Sequence, residues 1–127
     1  MRELGVGVIG VGTIGRRHAE NLAWRIPRAR LIAVADVRPD VAQSVAEDLG
    51  APHWFTTAEE VAAHPDVEAV VIASNHEAHL EGILAAARHK KDVLCEKPIT
   101  PTLEEADQGL AAVEQAGVRL DIGFMRR

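Results

Sequence analysis

The chain has 127 residues, 47% hydrophobic and 26% charged, which suits one globular domain and not a disordered chain. No apolar run approaches the roughly 20 residues that span a bilayer, and the amino terminus lacks the apolar stretch and cleavage site of a secretory signal. A net charge of −5 argues against a nucleic-acid partner, and a single cysteine, Cys95, cannot form an internal disulfide, so a reducing cytoplasm is the expected compartment.

Two kinds of apolar pattern alternate along the chain. Leu4 to Ile9 is a β-branched run ending at glycine and reads as a buried strand, followed by a helix from about Thr13 to Trp24. Leu31 to Asp36 is a second buried strand closed by a carboxylate. After Pro39, Val41, Val45 and Leu49 recur at helical spacing, with Gly50 as the stop. His53–Phe55 predicts a short third strand, and Thr57-Ala58-Glu59-Glu60 has the spacing of a capping box opening a brief helix. Val67 to Ala73 is the clearest strand. Leu80, Ile83, Leu84 and Ala87 mark one face of the next helix, and Asp92 to Cys95 a fifth strand. Leu103, Ala106, Leu110 and Val113 line a further helix, and Val118 to Phe124 predicts a sixth strand. With only Trp24, Trp54, Phe55 and Phe124 as aromatics, the core must be built from Val, Ile, Leu and Ala. Strand–helix alternation of this kind demands parallel pairing with right-handed crossovers. The expected fold is α/β: a doubly wound, parallel six-stranded sheet in the order 3-2-1-4-5-6, helices on both faces, occupying residues 1–127 as one domain.

The first strand runs into Gly10-Val11-Gly12-Thr13-Ile14-Gly15, a G-x-G-x-x-G sequence. Gly10 would allow the tight turn, Gly12 the close approach of backbone to a pyrophosphate, and Gly15 close packing of helix on sheet. The exposed N–H groups of the helix start, including those of Thr13 and Ile14, would receive the negative charge. Alone the pattern is weak, because a glycine turn can simply join strand to helix. Its context strengthens it, for it follows a strand, opens a helix and is followed at the right distance by Asp36. That carboxylate can accept the ribose hydroxyls and would repel a 2′-phosphate, favouring NAD over NADP. Arg38, two residues on, is either a solvated turn residue or a cation that stacks on adenine or offsets a 2′-phosphate, which keeps NADP open.

In open α/β sheets, ligands cross the carboxyl ends of the strands. Strand four delivers Ser74, Asn75, His76 and His79 to that edge, strand five Glu96-Lys97-Pro98, and strand six Met125-Arg126-Arg127. An ammonium such as that of Lys97, beside a cationic ring and away from bulk water, could exchange a proton with an alcohol. A random loop lysine would do nothing of the kind, although Pro98 restrains the backbone here. His76 and His79 stand three apart near Cys95, but nothing completes a tetrahedral set, so no metal is expected. These histidines are expected to cap or line the next helix start, and Cys95, His18 and Arg16-Arg17 to be structural.

The glycine sequence with Arg17-His18, Ala35-Asp36-Val37, Ser74-Asn75 with His79, and Glu96-Lys97-Pro98 resemble the glucose–fructose oxidoreductase, inositol dehydrogenase and rhizopine catabolism (Gfo/Idh/MocA) family. The closing Ile122-Gly123-Phe124-Met125-Arg126-Arg127 is similar to its inositol dehydrogenase branch. The resemblance covers essentially the whole chain, and Glu96-Lys97-Pro98 is its most specific element. It implies NAD(P)-dependent oxidation of a sugar or cyclitol hydroxyl, with Lys97 catalytic and Glu96 orienting it and the nicotinamide ribose. Ser74, Asn75 and His79 would lie along the cofactor, and Arg127 near the substrate. It also implies a second α/β domain that supplies further catalytic groups, shapes the sugar pocket and forms the interface of a homo-oligomer. None of that domain is present, so the chain is expected to be the amino-terminal part of a longer enzyme, inactive alone. The alternative is a non-catalytic NAD(P)-sensing or scaffold module, against which Lys97 argues; a nucleotide-sugar or methyl-transfer enzyme is disfavoured by the same residue.

Overall fold

The computed structural model describes residues 3–74, 78–96 and 102–123, and for 96, 122 and 123 the backbone alone. Six strands, β1 (Leu4–Ile9), β2 (Ala29–Ala35), β3 (His53–Phe55), β4 (Ala69–Ile72), β5 (Asp92–Glu96) and β6 (Leu120–Gly123), form one sheet in the order β3-β2-β1-β4-β5-β6. Every pairing is parallel. The expected architecture and strand order are therefore observed. Helices α1 (Thr13–Trp24), α2 (Pro39–Leu49), α3 (Ala58–Ala63), α4 (His79–Arg88) and α5 (Leu103–Ala116) make the connections.

Local chemistry explains most boundaries. Pro39 opens α2 at its first turn, and Gly50 closes it in the left-handed region at φ 75. Thr57 caps α3 as expected: its Oγ1 accepts the Glu60 N–H at 3.2 Å and donates to the Glu60 carboxylate at 2.9 Å. Thr102 caps α5 in the same manner, accepting the Glu105 N–H at 3.1 Å; the Thr102-Leu103-Glu104-Glu105 spacing carries that signal too, but it was not singled out from the sequence.

Side-chain alternation divides the core between the two faces of the sheet. Val8, Val34 and Val71 pack with Leu22, Val45 and Leu49 of α1 and α2. Val70, Ile72, Val93 and Cys95 pack on the other side with Val61, Ile83 and Val113 of α3, α4 and α5. One departure interrupts the alternation: the β1–β2 register slips between Val6 and Gly7, pairing Val6 with Leu31 but Gly7 with Ala33. Ile32 is the extra residue, and consecutive Ile32 and Ala33 both join the α3–α5 core.

Four expectations need correction. The second strand runs from Ala29 to Ala35, starting two residues earlier than predicted and ending before Asp36. The fourth strand is shorter than predicted, since Val67 and Glu68 lead into it as loop, although Val67 is fully buried. The sixth starts at Leu120, with Val118 packed on the core ahead of it; Phe124 lies outside the described residues. The expected apolar face of α5 is also rotated: Leu103 is 80% and Leu110 50% exposed, while Gly109 and Val113 are buried. A Cβ on Gly109 would lie 3.4 Å from Ile83 and 3.5 Å from Leu80, so α5 sets its smallest residue against α4 and turns its leucines outward.

Candidate functional site

The carboxyl ends of β1, β2 and β4 converge on a cleft of about 480 Å³. Gly10 continues the β1–β2 ladder by donating to the Ala35 carbonyl at 2.7 Å, and Ala73 donates to Ile9 at 2.8 Å. These bonds hold the glycine turn flush with the sheet edge. Gly10 has φ 87, and a Cβ there would come within 2.4 Å of the Ser74 backbone. A Cβ on Gly15 would meet the Gly10 carbonyl oxygen at 1.7 Å, so α1 can start this close to the turn only with glycine at that position.

Gly12 differs. The nearest heavy atom to a Cβ built there is Nη2 of Arg38, 3.9 Å away, so the protein's own packing does not demand glycine. Its backbone is extended, at φ −69 and ψ −156, outside the left-handed region that favours glycine. Bare backbone facing open space is what close approach to a ligand requires. Among the described residues the start of α1 has no side-chain cap, and its first turn holds no acidic residue, so its leading N–H groups and the positive end of the helix dipole can receive an anion. Thr13 lines a groove between α1 and α2, and Ile14 is exposed on the same turn.

Asp36 follows β2 and lines the cleft, with its side chain only 6% exposed. It reaches across to the glycine turn, where Oδ2 accepts the Val11 N–H at 3.1 Å. Oδ1 accepts the Arg38 backbone N–H and the Arg38 Nε, each at 3.0 Å, while Nη2 stands 3.4 Å from Oδ2. Burial pushes this carboxyl upward, but the hydrogen bonds from Arg38 and Val11 outweigh it and hold the carboxyl below its ordinary value. The group is an anchored anion that also ties the turn to β2.

Ser74 lines the cleft opposite Gly10, and its buried Oγ has no hydrogen-bond partner among the described residues. His79, 1% exposed, sits at the first position of α4 and donates from Nε2 to the Ser74 carbonyl at 2.8 Å. It touches the cleft through the Ser74 backbone and not through an open ring face. Asn75, Lys97 and Arg127 lie outside the described residues, and Glu96 is placed by its backbone as the last residue of β5. Sequence reasoning missed Val37, Thr56, Ala73 and Glu81, which complete the cleft walls. Their signal was positional, since Val37, Thr56 and Ala73 lie just past the carboxyl ends of β2, β3 and β4, and Val37, although part of the Ala35-Asp36-Val37 strand end, was given no role there.

A cradle of backbone N–H groups, a buried carboxylate one strand away and an orphaned hydroxyl at the switch between β1 and β4 fit a dinucleotide, and they define a dinucleotide-binding Rossmann domain. Residues 4–124 match the oxidoreductase family with an NAD-binding Rossmann fold, and the chain belongs to that family. It is 38% identical over 120 residues to the scyllo-inositol 2-dehydrogenase (NAD(+)) of Bacillus subtilis, covering 94% of this chain and 35% of that protein. To the inositol 2-dehydrogenase of Rubrobacter xylanophilus it is 42% identical over 125 residues, 98% of this chain and 36% of the relative. The structure of scyllo-inositol dehydrogenase from Lactobacillus casei with bound NAD(H) and scyllo-inositol superimposes with a TM-score of 0.92 at 31% identity, covering 99% of this chain and 37% of that one. The chain thus spans little more than a third of the length of these relatives. Among the described residues, no helix is long and apolar enough to cross a membrane.

Proposed function

We propose that this domain is the cofactor half of a cytoplasmic, homo-oligomeric oxidoreductase that moves hydride between a sugar or cyclitol hydroxyl and NAD. The observation that carries the reading is Gly12, whose missing side chain leaves open space where its neighbours Gly10 and Gly15 are crowded. Gly10, Gly12 and the first turn of α1 would hold the pyrophosphate, with Gly15 keeping that turn close. Asp36 would accept the adenosine ribose hydroxyls, with Val37 at the adenine side of the cleft, and Ser74 with Asn75 would flank the cofactor toward the nicotinamide. His79 would position Ser74 by its hydrogen bond to the Ser74 carbonyl. When bound, NAD supplies the hydride acceptor. The proton of the hydroxyl would pass to Lys97, oriented by Glu96 at the end of β5, and Arg127 would stand toward the substrate. The kinship with the inositol dehydrogenases of Bacillus and Rubrobacter supports a cyclitol as substrate of the complete enzyme.

Calorimetric titration of the chain with NAD⁺ and NADP⁺ tests the reading. Saturation by NAD⁺, weaker NADP⁺ binding and a loss on Asp36→Ala are expected. A folded sample that binds neither nucleotide would overturn it.

A further inference from the structure

We propose that Arg38 is an internal stand-in for the adenosine ribose: its guanidinium occupies the acceptor positions of Asp36 that a ribose diol needs, and its displacement sets the preference between NAD and NADP. The inference rests on Asp36 being the ribose-reading carboxylate. A carboxylate has about four acceptor positions on its two oxygens. Two are taken by the backbone N–H groups of Val11 and Arg38, which hold the carboxylate in place. The other two face Nε and Nη2 of Arg38. Asp36 therefore has no acceptor position left for a ribose hydroxyl while the guanidinium stays.

The two partners are held very differently. The Asp36 side chain is 6% exposed, whereas that of Arg38 is 60% exposed. The Arg38 backbone is fixed as the cap of α2, its carbonyl accepting the N–H groups of Val41 and Ala42 at 3.1 Å, with Pro39 locking the next residue. Only the side chain is free to swing. It lies across the mouth of the cleft, from Asp36 to within 3.9 Å of the open position at Gly12. Ribose hydroxyls would replace its donors, so the buried carboxylate is not left bare, while the exposed guanidinium returns to water. Once released, the guanidinium remains tethered beside the ribose, where it offsets the negative charge of Asp36 toward a 2′-phosphate. Asp36 alone would repel that phosphate strongly, and the pair repels it less, so NADP⁺ binds more weakly than NAD⁺ but is not shut out.

Arg38→Met keeps the alkyl stem and removes the donors. Titration with NAD⁺ and NADP⁺ is expected to show tighter NAD⁺ binding, weaker NADP⁺ binding and a ratio of affinities raised at least about tenfold, equivalent to 1.4 kcal/mol. A ratio changed less than about twofold would overturn the proposal. In the unaltered chain, the Arg38 Nε–H proton resonance, assigned by its absence from Arg38→Met, should shift on saturation with NAD⁺. A resonance that does not move while NAD⁺ binds would show that the guanidinium never leaves Asp36. Failure of the underlying reading looks different: Asp36→Ala would then bind NAD⁺ as well as the unaltered chain does.

Discussion

Replacing Gly12 by alanine separates what the glycine turn does for the fold from what it does for a ligand. Among the described residues the new methyl would meet nothing nearer than the Arg38 guanidinium nitrogen at 3.9 Å, and the backbone there is outside the left-handed region that favours glycine. Gly12 caps α1, and alanine is the poorer cap by about 0.5–1 kcal/mol. Restricting the unfolded chain returns about 0.4–1 kcal/mol. The two nearly cancel, so the melting temperature should move by less than roughly 5 °C. Binding should respond very differently, because the methyl projects from the surface that a pyrophosphate would approach. We expect NAD⁺ affinity to fall at least about tenfold, or 1.4 kcal/mol. Thermal melts followed by circular dichroism and calorimetric titration with NAD⁺ measure both quantities on one preparation. Unchanged NAD⁺ affinity would refute the assignment of this surface to the nucleotide, and a collapse in melting temperature would refute the claim that Gly12 is not needed for folding.

Gly15→Ala should do the reverse: its Cβ would sit 1.7 Å from the Gly10 carbonyl oxygen, so a loss of about 3 kcal/mol or more is expected, read as a melting temperature lower by over roughly 10 °C. Thr57→Ala and Thr102→Ala each remove a helix cap and should each lower stability by about 1 kcal/mol in urea titrations; an effect below about 0.3 kcal/mol would contradict the capping geometry. Asp36 has a lowered folded-state pKa, so its stabilising effect is present above the unfolded value of about 3.9 and is lost as the pH falls through the folded value. The melting-temperature gap between the unaltered chain and Asp36→Asn should therefore shrink below about pH 4, and a gap independent of pH would sink this account.

The elements of the fold, their parallel order, the turn glycines and the Asp36 carboxylate were legible in the sequence because each is written in near neighbours. Periods of two and 3.6 residues, a Pro39 start, a Gly50 stop and a Thr57 cap all act within about four residues along the chain. What the tertiary structure decided are contacts between residues distant in sequence. The slipped register at Ile32 arises from the pairing of β1 with β2. The outward turn of Leu103 and Leu110 follows from Gly109 seeking Ile83 and Leu80 on α4. Asp36 was recognisable as a carboxylate at a strand end, but its grip on Val11, 25 residues away, and the guanidinium that fills its remaining positions appeared only once the chain had folded. Likewise, Ser74 stands against the Gly10 turn, and His79 is buried on its carbonyl, because β4 lies beside β1, a proximity that no local pattern encodes. Short-range patterns select which elements form, while the facing of each element and the partners of each polar group are set by packing across the sheet.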